Sequence, residues 1–151
     1  MIRKIVSGGQ TGVDRAALDA AAQAGLDRGG WCPRDRRAED GPIDPVYLLH
    51  ETPARGYAQR TTWNVRDSDG TLILTRGPPI GGTALTVRVA AQLHKPFLVV
   101  DLADDGNVEG VRAWIEGHGL ETVNVAGPRE SERPGIYAQA CAFLSRLFAA
   151  G

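Results

Sequence analysis

The stretch Ser7-Gly8-Gly9-Gln10-Thr11-Gly12 stands between a strand-like segment, Ile2 to Val6, and a segment in which Ala16, Ala17, Ala20, Ala21 and Ala24 recur at helical spacing until Gly25. A short buried strand that passes through a glycine loop into an amphipathic helix is one βα unit. At such a junction the loop amides and the positive end of the helix can hold an anion, and glycine lets a ligand approach the main chain. A tight βα turn does not need three glycines with Gln10 and Thr11 beside them. We therefore read Gly8, Gly9, Gln10, Thr11 and Gly12 as a binding loop for a phosphate-type group. It is not the GxGxxG dinucleotide fingerprint, and it has no P-loop lysine.

The same device recurs. Thr71 to Leu74 is a β-rich apolar run, Gly81-Gly82-Thr83 follows it, and Leu85, Val89 and Leu93 then form a helical stripe that ends at His94-Lys95-Pro96. Phe97 to Val100 reads as a buried strand, Asn107 as the cap of a helix carrying Val108, Val111 and Ile115, and Thr122 to Ala126 as a strand. After Gly127-Pro128-Arg129-Glu130-Ser131 comes a last helix with Pro134 near its start and Ile136, Ala140, Leu144, Leu147 and Phe148 facing inward. Gly30 to Cys32 and Val46 to Glu51 complete a set of six strands, Pro33 to Pro45 reads as an ordered loop, and Tyr57 to Val65 as a helix with Arg60 and Asn64 on one face.

Strands alternating with amphipathic helices predict an α/β fold, Rossmann-like and doubly wound, with a mostly parallel sheet covered by helices on both faces. The expected strand order is 3-2-1-4-5-6. That order would make the strands before the first two glycine loops neighbours, with the ligand in the crevice beyond their carboxyl ends. The expectation is one domain over residues 1–151, because 151 residues can bury one core and are short for two.

Composition narrows the partners. A net charge of −1, from 17 basic and 18 acidic residues, supplies no general pull toward nucleic acid or membrane. Neither a secretory signal nor a membrane-length apolar run is legible, which places the protein in the cytoplasm. Cys32 and Cys141 match no metal-ligand spacing and read as reduced thiols, so no metal site is expected.

Further candidates join the glycine loops. Arg34 belongs to the charged run Arg34, Arg36, Arg37, Glu39 and Asp40, and arginine suits bidentate phosphate recognition. Asp67 and Asp69, with Arg60 and Asn64 before them, could form a polar wall or a turn before the fourth strand, Arg15 could pair with a ligand, and Gly127, Arg129, Glu130 and Ser131 lie at a strand's carboxyl end. Were the protein an enzyme, Asp14, Asp67 and Asp69 would be its candidate catalytic groups. The last helix, with Phe143, Leu144, Leu147 and Phe148, could also serve self-association.

Taken together, Ser7 to Ala16, Gly29-Gly30-Trp31-Cys32-Pro33, Arg60-Thr61, Asn64-Val65, Ser68 to Thr71, Gly81-Gly82-Thr83 and Asn124 to Ser131 resemble the molybdenum carrier family, over about Ile2 to Leu147. The resemblance implies a Rossmann-like fold, homo-oligomers, and binding of molybdenum cofactor, a pterin carrying a phosphate, or of a related nucleotide. The wider superfamily includes phosphoribohydrolases that act on nucleoside monophosphates and whose second loop is similar to PGGxGTxxE. Here Thr86 stands at the glutamate position. Threonine cannot serve as a carboxylate base, so the resemblance favours a carrier or storage protein over a nucleotide-cleaving hydrolase.

Overall fold

The computed structural model describes residues 1–104 and 107–149. In chain order the elements are β1 (Lys4–Val6), α1 (Val13–Gln23), β2 (Asp27–Gly29), β3 (Trp31–Cys32), β4 (His50–Glu51), α2 (Tyr57–Arg66), β5 (Gly70–Thr75), α3 (Gly81–Gln92), β6 (Phe97–Asp101), α4 (Val108–His118), β7 (Thr122–Ala126) and α5 (Ile136–Phe148). The protein is α/β and Rossmann-like: five strands form one all-parallel sheet in the order β2-β1-β7-β5-β6. Side chains alternate across each strand. Leu72 and Leu74 of β5 join Val123 and Val125 of β7 in a core built with α1, α4 and α5. On the other side, Val65 of α2 packs against Val89 and Ala90 of α3.

The expected order 3-2-1-4-5-6 is overturned. The last strand, β7, inserts between β1 and β5, so the strands before the two glycine loops each pair with β7 and not with each other. Every residue of β5 is buried, as are Val123, Asn124 and Val125 of β7. Apolar strands of this kind gain most at the centre of a sheet covered on both faces. Asn124 is accommodated there by donating from Nδ2 to Thr71 Oγ1 at 3.3 Å. The second strand of the sheet is Asp27–Gly29, not Gly30 to Cys32. Its three residues carry no apolar side chain, and it joins by backbone pairing with β1. Trp31–Cys32 instead pairs with His50–Glu51 in a separate two-stranded parallel sheet.

The loop after Cys32 is ordered from within. The Arg36 guanidinium donates to the carbonyls of Ile43, Asp44, Tyr47 and Leu49 at 2.7 to 3.3 Å. Around it Leu18, Cys32, Ala38, Ile43 and Leu49 form a second small core. Asn107 caps α4 by accepting from the Gly110 amide at 2.9 Å. Of the residues expected to face inward from α5, Ile136, Ala140, Leu144 and Leu147 are buried and Phe148 is half-buried, and Phe143 is buried beside them. That burial removes the buried residues from any self-association face, because the chain's own core takes them. Among the described residues no helix is long and apolar enough to cross a membrane.

Candidate functional site

Because β7 lies between β1 and β5, three loops meet at the carboxyl edge of the sheet, with Gly127 to Ser131 in the middle. They meet main chain to main chain. A Cβ at Gly12, where φ is 79°, would stand 2.3 Å from the Pro128 carbonyl oxygen; one at Gly127 would stand 2.1 Å from that of Leu74. Side chains at either position would drive the loops apart. The Val13 amide donates to the Pro128 carbonyl at 3.2 Å and closes the junction.

Between the loops and α2 lies a narrow cleft of about 50 Å³, walled by Gln10, Asp14, Tyr57, Arg60, Thr83, Thr86 and Arg129 among others. At about 30 Å³ per water it has room for a small oxyanion. A drug-sized ligand needs about 300 Å³ or more. Neither α1 nor α3 has a side-chain cap at its amino end.

Gln10 is 5% exposed. Its Oε1 accepts from the amides of Thr11 and Glu39 at 3.1 and 2.9 Å, which turns Nε2 away from both. Nε2 has no partner among the described residues, and neither has the buried Nε of Arg60. The other Arg60 nitrogens reach Thr61 Oγ1 at 2.7 Å and, more loosely, the Asp14 carboxylate at 3.8 Å. The guanidiniums of Arg37, Arg60 and Arg129 lie 4.8, 5.4 and 5.4 Å from the centre of the Tyr57 ring. Arg60 and Arg129 line the cleft, with Arg37 on the same ring, and cations gathered in this way favour an anion.

Asp14 is 3% exposed, and burial pushes its carboxyl up to about 6, against the opposing pull of Arg60, the Gln10 amide, Arg15 and Arg129. Glu132 also lines the cleft and pairs with Arg129 at 3.2 Å. Outside that lining, Thr11 Oγ1 donates to Glu39 and accepts from the Glu130 amide at 3.1 Å, and the Ser131 amide and hydroxyl donate to the same Glu39 carboxylate at 3.2 and 2.5 Å. Burial alone would raise the Glu39 carboxyl, but these hydrogen bonds and Arg129 hold it below its usual range.

The residues singled out from the sequence thus separate. Gln10, Arg60, Gly82, Thr83, Gly127 and Arg129 line the cleft with Asp14, while Thr11 and Ser131 are outside its lining and are joined through Glu39. Gly8 packs under Arg60, and Gly81 stands near Glu132. Arg15 is turned to the Gly9 carbonyl and Asp40. The Glu130 carboxylate accepts from the amides of Gly135 and Tyr137 at the start of α5. Asn64 is buried and braces Trp31, accepting from its amide at 2.7 Å and donating to its carbonyl at 2.9 Å. Arg34 is exposed, and the arginine of its run that reaches the Tyr57 ring is Arg37.

Asp67 ends α2, paired with Arg66 and Trp31 Nε1. Asp69 precedes β5 at the amino edge of the sheet, opposite the loops, where its carboxylate accepts from the amides of Thr122 and Glu121 at 2.9 and 3.0 Å. Tyr57 escaped the sequence reading, although helical spacing puts it beside both Arg60 and Thr61. Glu132 left no local signal.

A larger open groove, about 440 Å³, runs between β6 and α4 past Leu98, Val100, Val111 and Trp114. It is mainly apolar and has none of the arginines gathered at the loops. Among the described residues, no three His, Cys, Asp or Glu side chains come together as a metal site.

The family model described as "Circularly permutated YpsA SLOG family" matches residues 5–148 of the chain. A crystal structure of "Putative molybdenum carrier protein" from Syntrophus aciditrophicus SB is similar at 44% identity with a TM-score of 0.92, over 99% of this chain and 96% of that one. No curated protein matches the chain.

Proposed function

Since the chain belongs to the circularly permutated YpsA SLOG family, we propose that it is a carrier or storage protein that binds a small phosphate-bearing molecule, molybdenum cofactor or a related nucleotide, in the cleft between the three loops. The observation that carries this reading is Gln10 Nε2: a buried donor with no partner among the described residues, held in place by two hydrogen bonds to its own Oε1. Such a donor calls for an acceptor on a ligand, because a buried unmade hydrogen bond costs on the order of 1 to 3 kcal/mol. The unpartnered Arg60 Nε asks for the same chemistry. With Arg129 and the uncapped start of α3, these groups suit a phosphate oxygen. The name borne by the Syntrophus structure favours molybdenum cofactor among such ligands.

The fit is to the phosphate end. A cleft of about 50 Å³ accepts an oxyanion and leaves the pterin or base to lie outside it or to widen it. We assign the phosphate to Gln10, Arg60 and Arg129. Transport and storage follow from reversible binding alone.

A second reading, nucleotide hydrolysis, draws on Asp14, whose elevated carboxyl suits a general acid or base. Against it, Thr86 lies at the position of the related hydrolases' glutamate, and its hydroxyl bonds back to the Gly82 carbonyl at 3.0 Å.

Native mass spectrometry of freshly purified protein tests the carrier reading directly. A copurified pterin or nucleotide is expected, and free base released from a nucleoside monophosphate would instead promote the hydrolase. Gly82→Asp sharpens the test. A Cβ there meets nothing within 4 Å, so the fold accepts the side chain, and a carboxylate in the first turn of α3 favours the helix. Affinity for a phosphate-bearing ligand should nevertheless fall about a hundredfold, because the new charge repels the ligand's at short range with an effective dielectric of about 20.

A further inference from the structure

The cleft carries a feature that an all-purpose anion site would avoid. Asp14 is 3% exposed and stands in the same wall as the donors, with its carboxylate 3.8 Å from the nearest Arg60 nitrogen, beyond hydrogen-bond distance. The charged groups that face it are Arg60 from α2, Arg129 from the loop after β7 and Arg15 from its own helix, and Arg15 is already committed to Asp40 and the Gly9 carbonyl. Glu132 lines the cleft as a second carboxylate, and α3 contributes the hydroxyls of Thr83 and Thr86. An oxyanion that contacts Gln10 Nε2 and the Arg60 guanidinium therefore comes close to a buried carboxylate whose own partners are the Gln10 backbone amide and the loose Arg60 contact. A fully deprotonated ligand would be repelled there. A ligand that keeps one proton would instead donate it to Asp14.

We propose that Asp14 is the specificity-determining residue of the cleft: it selects oxyanions that can carry a proton, phosphate and phosphate monoesters, over oxyanions that cannot, such as sulfate. This deepens the phosphate-cleft reading and rests on it. One proton is shared, on the ligand oxygen or on Asp14, and the ion is held by Gln10 and the arginines. Phosphate monoesters lose their second proton near about pH 6, so near neutrality they can still supply it. Sulfate has none to give at that pH. The elevated carboxyl of Asp14, about 6, means that mild acid protonates the residue itself and lifts the ban on sulfate.

Isothermal titration with inorganic phosphate and with sulfate, at about pH 7 and about pH 5, reads this directly. Wild-type protein should bind phosphate at least about tenfold more tightly than sulfate near pH 7, and the gap should narrow near pH 5 as sulfate binding strengthens. In Asp14→Asn the amide donates to either ion, so sulfate should bind about as well as phosphate at both pH values. A purely structural role for Asp14 would weaken both ions together and leave their ratio unmoved. Equal affinities in the wild type near pH 7, or an unchanged ratio in a folded Asp14→Asn protein, would overturn the proposal while leaving the phosphate cleft intact. Binding of neither ion by the wild type at either pH would overturn both. Should the variant fail to fold, the wild-type ratio and its pH profile decide alone.

Discussion

Arg36 and Arg60 lie in neighbouring regions of the molecule and are treated in opposite ways. In the loop after Cys32, Arg36 donates to four backbone carbonyls and replaces secondary structure as the organiser of about a dozen residues. In the cleft, Arg60 makes one good hydrogen bond, one loose ion pair, and leaves Nε without a partner. The first is a scaffold whose hydrogen bonds are made on folding. The second is a surface whose polar groups are only partly used, next to a glutamine in the same condition. The difference separates side chains committed on folding from side chains left partly unpaired: those of the loop should govern stability and, on the proposed reading, those of the cleft should govern binding.

Removing Arg36 should have the largest effect on stability. In Arg36→Ala four carbonyls lose their donor at once. At about 1 kcal/mol or more each, the loss should approach about 4 kcal/mol, seen as an earlier midpoint in urea. A loss below about 1 kcal/mol would break the comparison, because the loop would then be held by something other than Arg36.

Asp14→Asn should move stability the other way. The folded carboxyl titrates at about 6, above the ordinary 3.8, so the native state binds that proton more tightly than the unfolded chain does. The stabilising contribution of proton binding is fully present below about pH 4 and is lost as pH rises through about 6. Above that, the ionised group costs on the order of 3 kcal/mol, since each tenfold difference in proton affinity between the folded and unfolded chain is worth about 1.4 kcal/mol. The variant should therefore be more stable than wild type by up to about 3 kcal/mol near pH 7 and about equal near pH 4. Thermal unfolding across that range checks it, and a difference that does not vary with pH would show that Asp14 is not held out of water.

The smallest effect belongs to Asp69→Ala. Hydrogen bonds from the Thr122 and Glu121 amides hold this carboxyl below its usual range, so it stabilises the fold above the ordinary carboxylate range and that contribution fades as pH falls. Loss of about 1 kcal/mol near neutrality is expected, with no change in phosphate affinity. A changed affinity would show that the cleft is not confined to the carboxyl edge.

Much of the candidate cleft's lining was legible without coordinates. The two glycine loops, Gln10 and Thr11, Arg60 and Arg129 all lie at or beside the cleft, because a strand end that meets a helix start is a local event with a local spelling. Asp69 and Asn64 misled for the same reason. Their residue types suit a binding wall, yet one secures the amino edge of the sheet and the other braces Trp31. Arg34 and Arg37 differ by three positions in one charged run, and no local rule tells which of them turns toward Tyr57.

The alternation of strand and helix, the inward face of α5 and the glycine loops that open α1 and α3 were determined by the sequence itself, because hydrophobic periodicity and glycine placement act over a few residues. The tertiary structure alone decided that β7 would insert between β1 and β5, that the third loop would become the centre of the site, and that Gln10 Nε2 would be left without a partner. Each of these depends on contacts between residues far apart in the chain, as between Gln10 and Glu39 or Gly12 and Pro128. Periodicity along the chain carries no record of which distant segment closes over a given donor.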